Sequence, residues 1–250
     1  MLCTISHGNF LLTWLVMAAL GLFFVFILSG ALFLMLYIKP TYALWRYKTN
    51  AKYPSPGKVR DEIVMMVKGM MAATICPALS IWLSKHGLSQ AYCGIGEYGW
   101  RYTIATGIIA WIASDLFEFM YHRLGHVHKF FWHLHQVHHK FYNPSPFSVI
   151  ADEYFDQFAR ALPLLLFPLV MPVNMDMLFL MYGVFFYGYG VYLHCGYELP
   201  WLDAHHPFIN TSFQHYCHHA KSVIHKPYHT GFFFKIWDQL AGSMYDKECF

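Results

Sequence analysis

The chain has 250 residues, of which 57% are hydrophobic and only 12% charged, and its formal net charge is +3 at pH 7. The charged fraction is about half of that in soluble globular domains, so the composition places the chain in a lipid bilayer. The small net charge gives no indication of nucleic-acid binding, and we expect no nucleic-acid partner.

The first predicted element is a membrane span over residues 10–38. This stretch carries no charged residue, and it exceeds the roughly 20 residues that a helix needs to cross the hydrocarbon core. It is also too long for the apolar region of a signal peptide. We therefore expect a retained membrane anchor.

Positive residues follow this span, and none precedes it. They are Lys39, Arg46, Lys48, Lys52, Lys58 and Arg60. The positive-inside rule places this loop in the cytosol, and residues 1–9 and 84–99 on the lumenal side. Further predicted spans cover residues 63–83 and 102–121, although the latter carries Asp115 and Glu118. The chain then returns to the cytosol before His122.

From residue 158 to residue 193 the sequence is apolar again, but prolines and a turn at 174–176 interrupt it. This pattern predicts a helical hairpin that enters or crosses the membrane and returns His194 to the cytosolic side. Strand-like alternation is nearly absent, which favours an all-α fold. We expect an integral membrane helical bundle with a cytosolic helical cap that holds the histidines.

Six cysteines are spread along the chain without a CxxC motif or a regular spacing. This distribution argues against a disulfide framework and against a thiolate zinc site. Cys217 lies inside a histidine cluster, and we interpret it as a packing residue.

Histidines recur at spacings that place them on one face of a helix. The motifs HRLGH, HQVHH and HYCHH carry imidazoles three and four residues apart, and residues at these separations share a helical face. One tetrahedral ion needs four ligands, so the nine imidazoles of these motifs and His194 indicate two metal ions. The candidate ligands are His122, His126, His135, His138, His139, His194, His215, His218 and His219.

Imidazole binds iron, zinc, copper and nickel, so the ligand type alone leaves the metal open. A metal pair at a membrane surface, with few carboxylates and no thiolates nearby, fits the activation of oxygen by iron beside an apolar substrate. Zinc would accept the same imidazoles.

Asp115 lies seven residues before His122 and therefore on the same helical face, two turns earlier. A carboxylate in an apolar span is energetically costly, which favours a functional role. We place Asp115 among the catalytic residues and predict that it accepts a hydrogen bond from a ligand imidazole and orients that ring. The alternative is an interfacial carboxylate without a part in the chemistry.

The histidine motifs resemble those of a known family. HRLGH, HQVHH, YLHCGYELPW, HYCHH and FKIWDQLAGS follow one another as in the fatty acid hydroxylase and sterol desaturase superfamily of membrane di-iron oxygenases. SDLFEFMYHRLGH, NPSPF, HPFIN and WDQLAGS are most similar to the sterol C-5 desaturases, whereas HCGYELPW is similar to the sterol methyl oxidases. The resemblance covers about residues 100–245. It implies a catalytic domain at 101–250 behind an N-terminal membrane anchor region at 1–100.

This resemblance implies two iron ions bound by the nine histidines, with O₂ as co-substrate and zinc possible in purified samples. Electrons would come from NAD(P)H through a reductase and cytochrome b5, and the protein would reside in the endoplasmic reticulum with its histidines facing the cytosol. A tenth ligand would come from His225 or His229. Where many relatives carry a His-Pro pair, this chain has Glu153 and Tyr154, so Glu153 is a further candidate ligand.

The resemblance thus implies a membrane-bound non-haem di-iron oxidoreductase that acts with O₂ on a C–H bond of a lipid, as a sterol C-5 desaturase does in sterol biosynthesis. A fatty acyl, sphingolipid or sterol hydroxylase of the same superfamily is the alternative. A metal-binding or transport protein is a hypothesis of another class. Transport predicts ionisable residues along several spans, whereas the histidines here gather beyond the spans.

Overall fold

The computed structural model describes residues 8–38, 47–50 and 52–245. These residues form helices and short turns, with one two-residue parallel strand pair, β1 (Ala91–Tyr92) and β2 (Val173–Asn174). The helices are α1 (Phe10–Phe33), α2 (Pro56–Ala73), α3 (Ile75–Lys85), α4 (Gly99–Val127), α5 (Lys129–His135), α6 (Tyr154–Arg160), α7 (Pro163–Val170), α8 (Met175–Met181), α9 (Tyr189–Leu193), α10 (Ser212–Lys221) and α11 (Ile236–Leu240). The all-α prediction is confirmed.

Two segments of π-helix and two of 3₁₀-helix join these elements. The π-helical turns of Leu34–Ile38 extend α1, and the π-helical segment Tyr182–Gly188 links α8 to α9 without a break. The 3₁₀ turns cover His138–Lys140 and Pro146–Ile150.

Four helical stretches are long and apolar enough to cross a membrane. They are Phe10–Ile38, Pro56–Lys85, Gly99–Val127 and Met175–Leu193. The second begins before the predicted span 63–83, because the Ser55 hydroxyl accepts from the Lys58 amide and Pro56 takes the first helical position. The third continues past residue 121, so the first histidine motif lies on the end of a spanning helix rather than beyond it.

The membrane helices pack around two apolar clusters. Val25, Met66 and Val191 belong to the first, which joins α1, α2 and α9 beneath the 3₁₀ turn Pro146–Ile150. There the Ser29 hydroxyl donates to the carbonyl of Pro146 over 2.8 Å. The second cluster joins α4, α7 and α8. Burial of these surfaces packs the helices so that His122 on α4 and His194 after α9 line one cavity.

The cysteines correct one expectation. Cys76, Cys195 and Cys217 are buried thiols, but Cys93 is disulfide-bonded. One disulfide therefore exists where the irregular spacing predicted no disulfide framework. The predicted lumenal residues 1–7 and the basic residues Lys39 and Arg46 lie outside the described part of the chain.

Candidate metal centre

The nine histidines that the motifs single out lie together in one buried cluster. Each of two groups offers nitrogen atoms that all lie within 4.8 Å of one another. The five-histidine group contains His122, His126, His135, His139 and His218, and the four-histidine group contains His138, His194, His215 and His219. Each group has enough donors for one ion, so the arrangement is compatible with two metals.

The two groups split HQVHH and HYCHH between them, whereas both histidines of HRLGH lie in the five-histidine group. HQVHH is not one helix, because α5 ends at His135 and a 3₁₀ turn begins at His138. His138 joins one group and His139 the other. On α10, His218 and His219 are neighbours in sequence and project about 100° apart, so they also separate.

The Nε2 atoms converge within each group. His122 and His218 bring their Nε2 atoms to 2.9 Å in the five-histidine group, and His194 and His215 do the same in the four-histidine group. Neighbouring nitrogens around one ion lie about 3 Å apart when metal–nitrogen bonds are about 2.0–2.1 Å. The donor set therefore fits two metal ions.

Backbone carbonyls accept a hydrogen bond from the other ring nitrogen of four of these histidines. The Nδ1 pairs are His122 with Thr230 at 2.9 Å, His126 with Val223 at 3.3 Å, His194 with Gly190 at 2.7 Å and His218 with Tyr228 at 2.7 Å. A carbonyl only accepts, so each Nδ1 carries the proton and each Nε2 keeps its lone pair for the centre.

Carboxylates from the ADEYFD segment contact two further imidazoles. Asp152 lies 2.7 Å from Nδ1 of His138, and Asp156 lies 3.2 Å from Nδ1 of His135. Both carboxylates are only 2% exposed. Sequence reasoning considered Glu153 in this segment and missed its neighbours, although the four-residue separation of Asp152 and Asp156 was a signal for a shared direction.

Glu153 does not occupy the ligand position that was considered for it. Its carboxylate accepts from the backbone N–H of Phe155 over 2.7 Å and caps the start of α6. It belongs to neither histidine group among the described residues. Its role is consistent with an ordinary helix N-cap.

Arg160 and Glu118 complete the charged environment beside the five-histidine group. Arg160 forms an ion pair with Glu118, and its Nη2 lies 3.2 Å from Nδ1 of His135. Its Nε lies 3.6 Å from the Asp156 carboxylate. A buried guanidinium between two carboxylates balances their charge next to the ligand ring.

Asp115 has partners other than the imidazole predicted for it. Its carboxylate accepts from the backbone amides of Phe233 and Phe234 at 2.8 and 3.2 Å and from the indole of Trp237 at 2.7 Å. The prediction of a direct bond to a ligand ring is therefore corrected. Asp115 instead ties α4 to the chain segment whose Thr230 carbonyl accepts from His122.

His225 and His229 lie in the loop after α10 and belong to neither group among the described residues. The His225 amide donates to the carbonyl of His126 over 2.6 Å, and the His229 ring accepts from the Tyr245 amide. Both residues adopt positive φ, at 65° and 49°, which is uncommon for residues with a Cβ. These turns bring the carbonyls of Tyr228 and Thr230 to the ligand rings.

Burial keeps most of the imidazoles outside the membrane-spanning segments neutral. Burial lowers the pKa well below the usual value for His135, His139, His194, His215, His218 and His219. Burial alone would also lower the pKa of His138, but the charge and hydrogen bond of Asp152 outweigh it, and the pKa is raised. Neutral imidazole is the form that binds metals.

A cavity of about 60 Å³, here called the inner cavity, opens beside the histidines. Three members of the four-histidine group line it, His138, His194 and His215, but only His122 of the five-histidine group does. Aromatic rings and the Glu118–Arg160 pair form other walls. A molecule in this cavity would therefore meet the four-histidine group first.

Comparison with known proteins identifies the family to which this chain is similar. The model of the family described as Fatty acid hydroxylase matches residues 107–243. Lathosterol oxidase of Rattus norvegicus is 30% identical over 190 residues, covering 74% of this chain and 61% of that protein. The Delta(7)-sterol 5(6)-desaturase of Gibberella zeae is 26% identical over 235 residues, covering 94% and 62%.

A similar protein of Schizosaccharomyces pombe, also named Delta(7)-sterol 5(6)-desaturase, is 24% identical over 231 residues, covering 92% of this chain and 74% of that protein. The chain spans about three fifths of the length of the first two of these curated relatives. No solved structure matches the chain significantly.

Proposed function

Because this chain belongs to the fatty acid hydroxylase family, whose model matches more than half of it, we propose that it is a membrane-bound di-iron oxidoreductase that acts with O₂ on a sterol. The proposed reaction introduces a ring double bond at C-5, as the names of the similar desaturases describe for those proteins. The family prediction made from the histidine motifs is confirmed. The observation that carries the proposal is the pair of histidine groups beside a cavity among membrane helices.

Iron ions held by the two groups would supply O₂-dependent oxidation of an unactivated C–H bond. Desaturation removes two hydrogen atoms from the lipid, and reduction of O₂ to two water molecules takes four electrons, so an external donor must supply two. The protein orients five of the nine imidazoles through Nδ1 hydrogen bonds, four to backbone carbonyls and one to Asp156. Apolar walls such as Val149 and Phe186 exclude water from the inner cavity.

A basic surface over the five-histidine group supports the docking of an acidic electron donor. Lys129, Lys140, Lys221 and Lys226 are exposed on elements that meet at His126, and no acidic residue occurs at 119–151 or 204–237. The Trp132 ring lies 5.2 Å from that of His126 and 5.6 Å from that of His139. We propose that cytochrome b5, reduced by an NAD(P)H-dependent reductase, docks here from the cytosol at the endoplasmic reticulum.

Sterol and fatty-acid profiling tests the reaction class. Cells that produce the wild-type chain should accumulate a sterol with one additional ring double bond, and cells with His194→Ala at equal protein level should not. If a hydroxylated sterol or acyl chain accumulates instead, the protein is a hydroxylase of the same family rather than a desaturase. Unchanged lipids together with altered cellular metal content would favour the metal-transport hypothesis.

A further inference from the structure

A groove along the outside of the membrane helices leads toward the inner cavity. This outer groove has a volume of about 480 Å³ and runs between α1 and the α8–π-helical stretch, with α2 and α3 at its base. Leu20 and Phe24 on α1 are 46% and 40% exposed at its edge. Side chains with this exposure on a spanning helix face lipid.

Two tyrosines belong to both spaces. Tyr182 and Tyr187 line the outer groove and also the inner cavity. Tyr182 stacks on Phe186 with ring centroids 4.4 Å apart, and Phe186 stacks on Phe232, which also lines the inner cavity. The wall between the groove and the metal centre is therefore these two side chains rather than a layer of backbone.

The π-helical segment explains why both tyrosines reach the same passage. Residues five apart on an α-helix point about 140° away from each other, so an α-helix would turn one tyrosine away. Hydrogen bonding from i to i+5 brings residues five apart nearly onto one face, and such segments are frequent at functional sites. Tyr182 and Tyr187 are five apart in the segment Tyr182–Gly188.

A second groove on the outside of the membrane helices does not lead to the inner cavity. It has a volume of about 360 Å³ and lies between α4 and α8, lined by residues such as Ile104, Ile108 and Met177. It shares no lining residue with the inner cavity. Of these two outer grooves, the one beside α1 shares lining residues with the inner cavity.

We propose that the outer groove binds the apolar body of the sterol substrate taken from the bilayer, and that the sterol passes between Tyr182 and Tyr187 to reach the inner cavity. This inference rests on the proposed function. The groove follows the helix from Asp176 to Tyr187, a length of about 16 Å at the helical rise per residue. Its lining is almost entirely apolar, and the Thr74 hydroxyl already donates to the Met70 carbonyl over 2.8 Å. The groove therefore suits an apolar body rather than a headgroup, and the proposed function makes that body a sterol.

Gly183 offers a direct test. A Cβ at Gly183 would meet no atom within 4 Å, so Gly183→Leu places a side chain in the groove without displacing neighbours. Gly30→Leu is the matched control, because Gly30 also has open space, lies on helix α1 and does not line the groove. Leu20→Trp narrows the groove from the other side, and its control is Leu15→Trp, which is outside the groove with 47% exposure.

The readouts are labelling by a photoactivatable sterol in membranes, sterol turnover and bound metal. We expect Gly183→Leu and Leu20→Trp to keep wild-type metal content while labelling of groove peptides and kcat/KM fall at least tenfold, with both controls unchanged. Wild-type labelling and turnover in the two groove variants would overturn the inference and leave the proposed function intact. Labelling by a fatty acyl probe alone would also overturn it.

The inference and the proposed function fail separately. If no chain turns over sterol but sterol labelling is strong and is blocked by Gly183→Leu, the groove assignment stands and the proposed reaction is wrong. If Gly183→Leu does not fold, its loss of bound metal reveals this, and the Leu20→Trp pair decides the outcome.

Discussion

Asp152 and Asp156 are the side chains through which the ADEYFD segment reaches the candidate metal centre. Each contacts the Nδ1 atom of one imidazole, so each fixes a ring whose Nε2 points at a group of donors. The histidine spacing made the ligands themselves predictable. It did not reveal their carboxylate partners, because the contact between Asp152 and His138 depends on how the chain folds back after the Pro-rich turn.

Removal of Asp152 should weaken metal binding. Asp152→Ala deletes the acceptor of the His138 ring, and loss of such a partner typically costs about 10–100-fold in metal affinity or activity. Competition with a chelator measures the affinity. Glu153→Gln is the control, because Glu153 caps α6 and contacts no ligand ring in the described structure. Equal metal retention in Asp152→Ala and wild type would contradict the assigned role.

Asp115→Asn should loosen the segment after α10 rather than remove a ligand partner. An amide offers one acceptor oxygen where the carboxylate accepts from Phe233, Phe234 and Trp237, and each buried donor left unpaired costs about 1–3 kcal/mol. Hydrogen exchange at the Phe233 and Phe234 amides should become faster, and turnover should fall because Thr230 no longer holds His122 firmly. Unchanged exchange at both amides would show that Asp115 does not anchor this segment.

At the scale of elements, the long apolar helices were predictable because their length and hydropathy are visible in the sequence. The local turns were not predictable. The sequence HQVHH has the spacing of one helical face, yet the chain leaves the helix after His135. That break depends on tertiary packing, which overrides local helical spacing. The break is not what separates His138 from His139, because the adjacent His218 and His219 serve different groups on the unbroken helix α10.

Gly125 shows how two elements fix one ligand. A Cβ at this position of α4 would lie 3.0 Å from Cγ of His135, which α5 brings against the helix. Gly125→Ala should therefore displace a ligand ring and lower bound metal, although alanine normally favours a helix interior by about 1 kcal/mol. Metal analysis and the melting temperature measure both effects.

Gly107→Ala is the matched control for this substitution. It lies on the same helix, and its Cβ would meet the flexible side chain of Met177 at 3.1 Å. We expect it to keep its metal. Loss of metal in Gly107→Ala to the same extent as in Gly125→Ala would attribute the effect to α4 in general rather than to the His135 contact.

At the scale of the whole molecule, one end of the membrane helices carries the centre and a basic surface, and the loop with Cys93 lies at α4's other end. A disulfide at Cys93 needs an oxidising compartment, so the lumenal position of the loop 84–99 stays our prediction. The predicted cytosolic side is then the side of the histidines.

Charge reversal on the basic surface should impair electron delivery without changing the centre. Lys129→Glu with Lys140→Glu should raise the KM for cytochrome b5 and weaken its dependence on salt, while bound metal stays constant. Lys58→Glu, an exposed basic residue at the start of α2, is the control. If the double variant and wild type respond identically to the donor at every salt concentration, the donor docks elsewhere.

The number of metal ions bound per chain tests the proposed two-metal centre most directly. Metal analysis of protein purified from membranes counts them, with iron and any zinc summed. The two histidine groups predict two ions in the wild type. His218→Ala should first lose the ion of the five-histidine group. His219→Ala should first lose the ion of the four-histidine group, although the two residues are adjacent on α10. One ion or fewer in the wild type, with no loss in either variant, would contradict the two-metal centre.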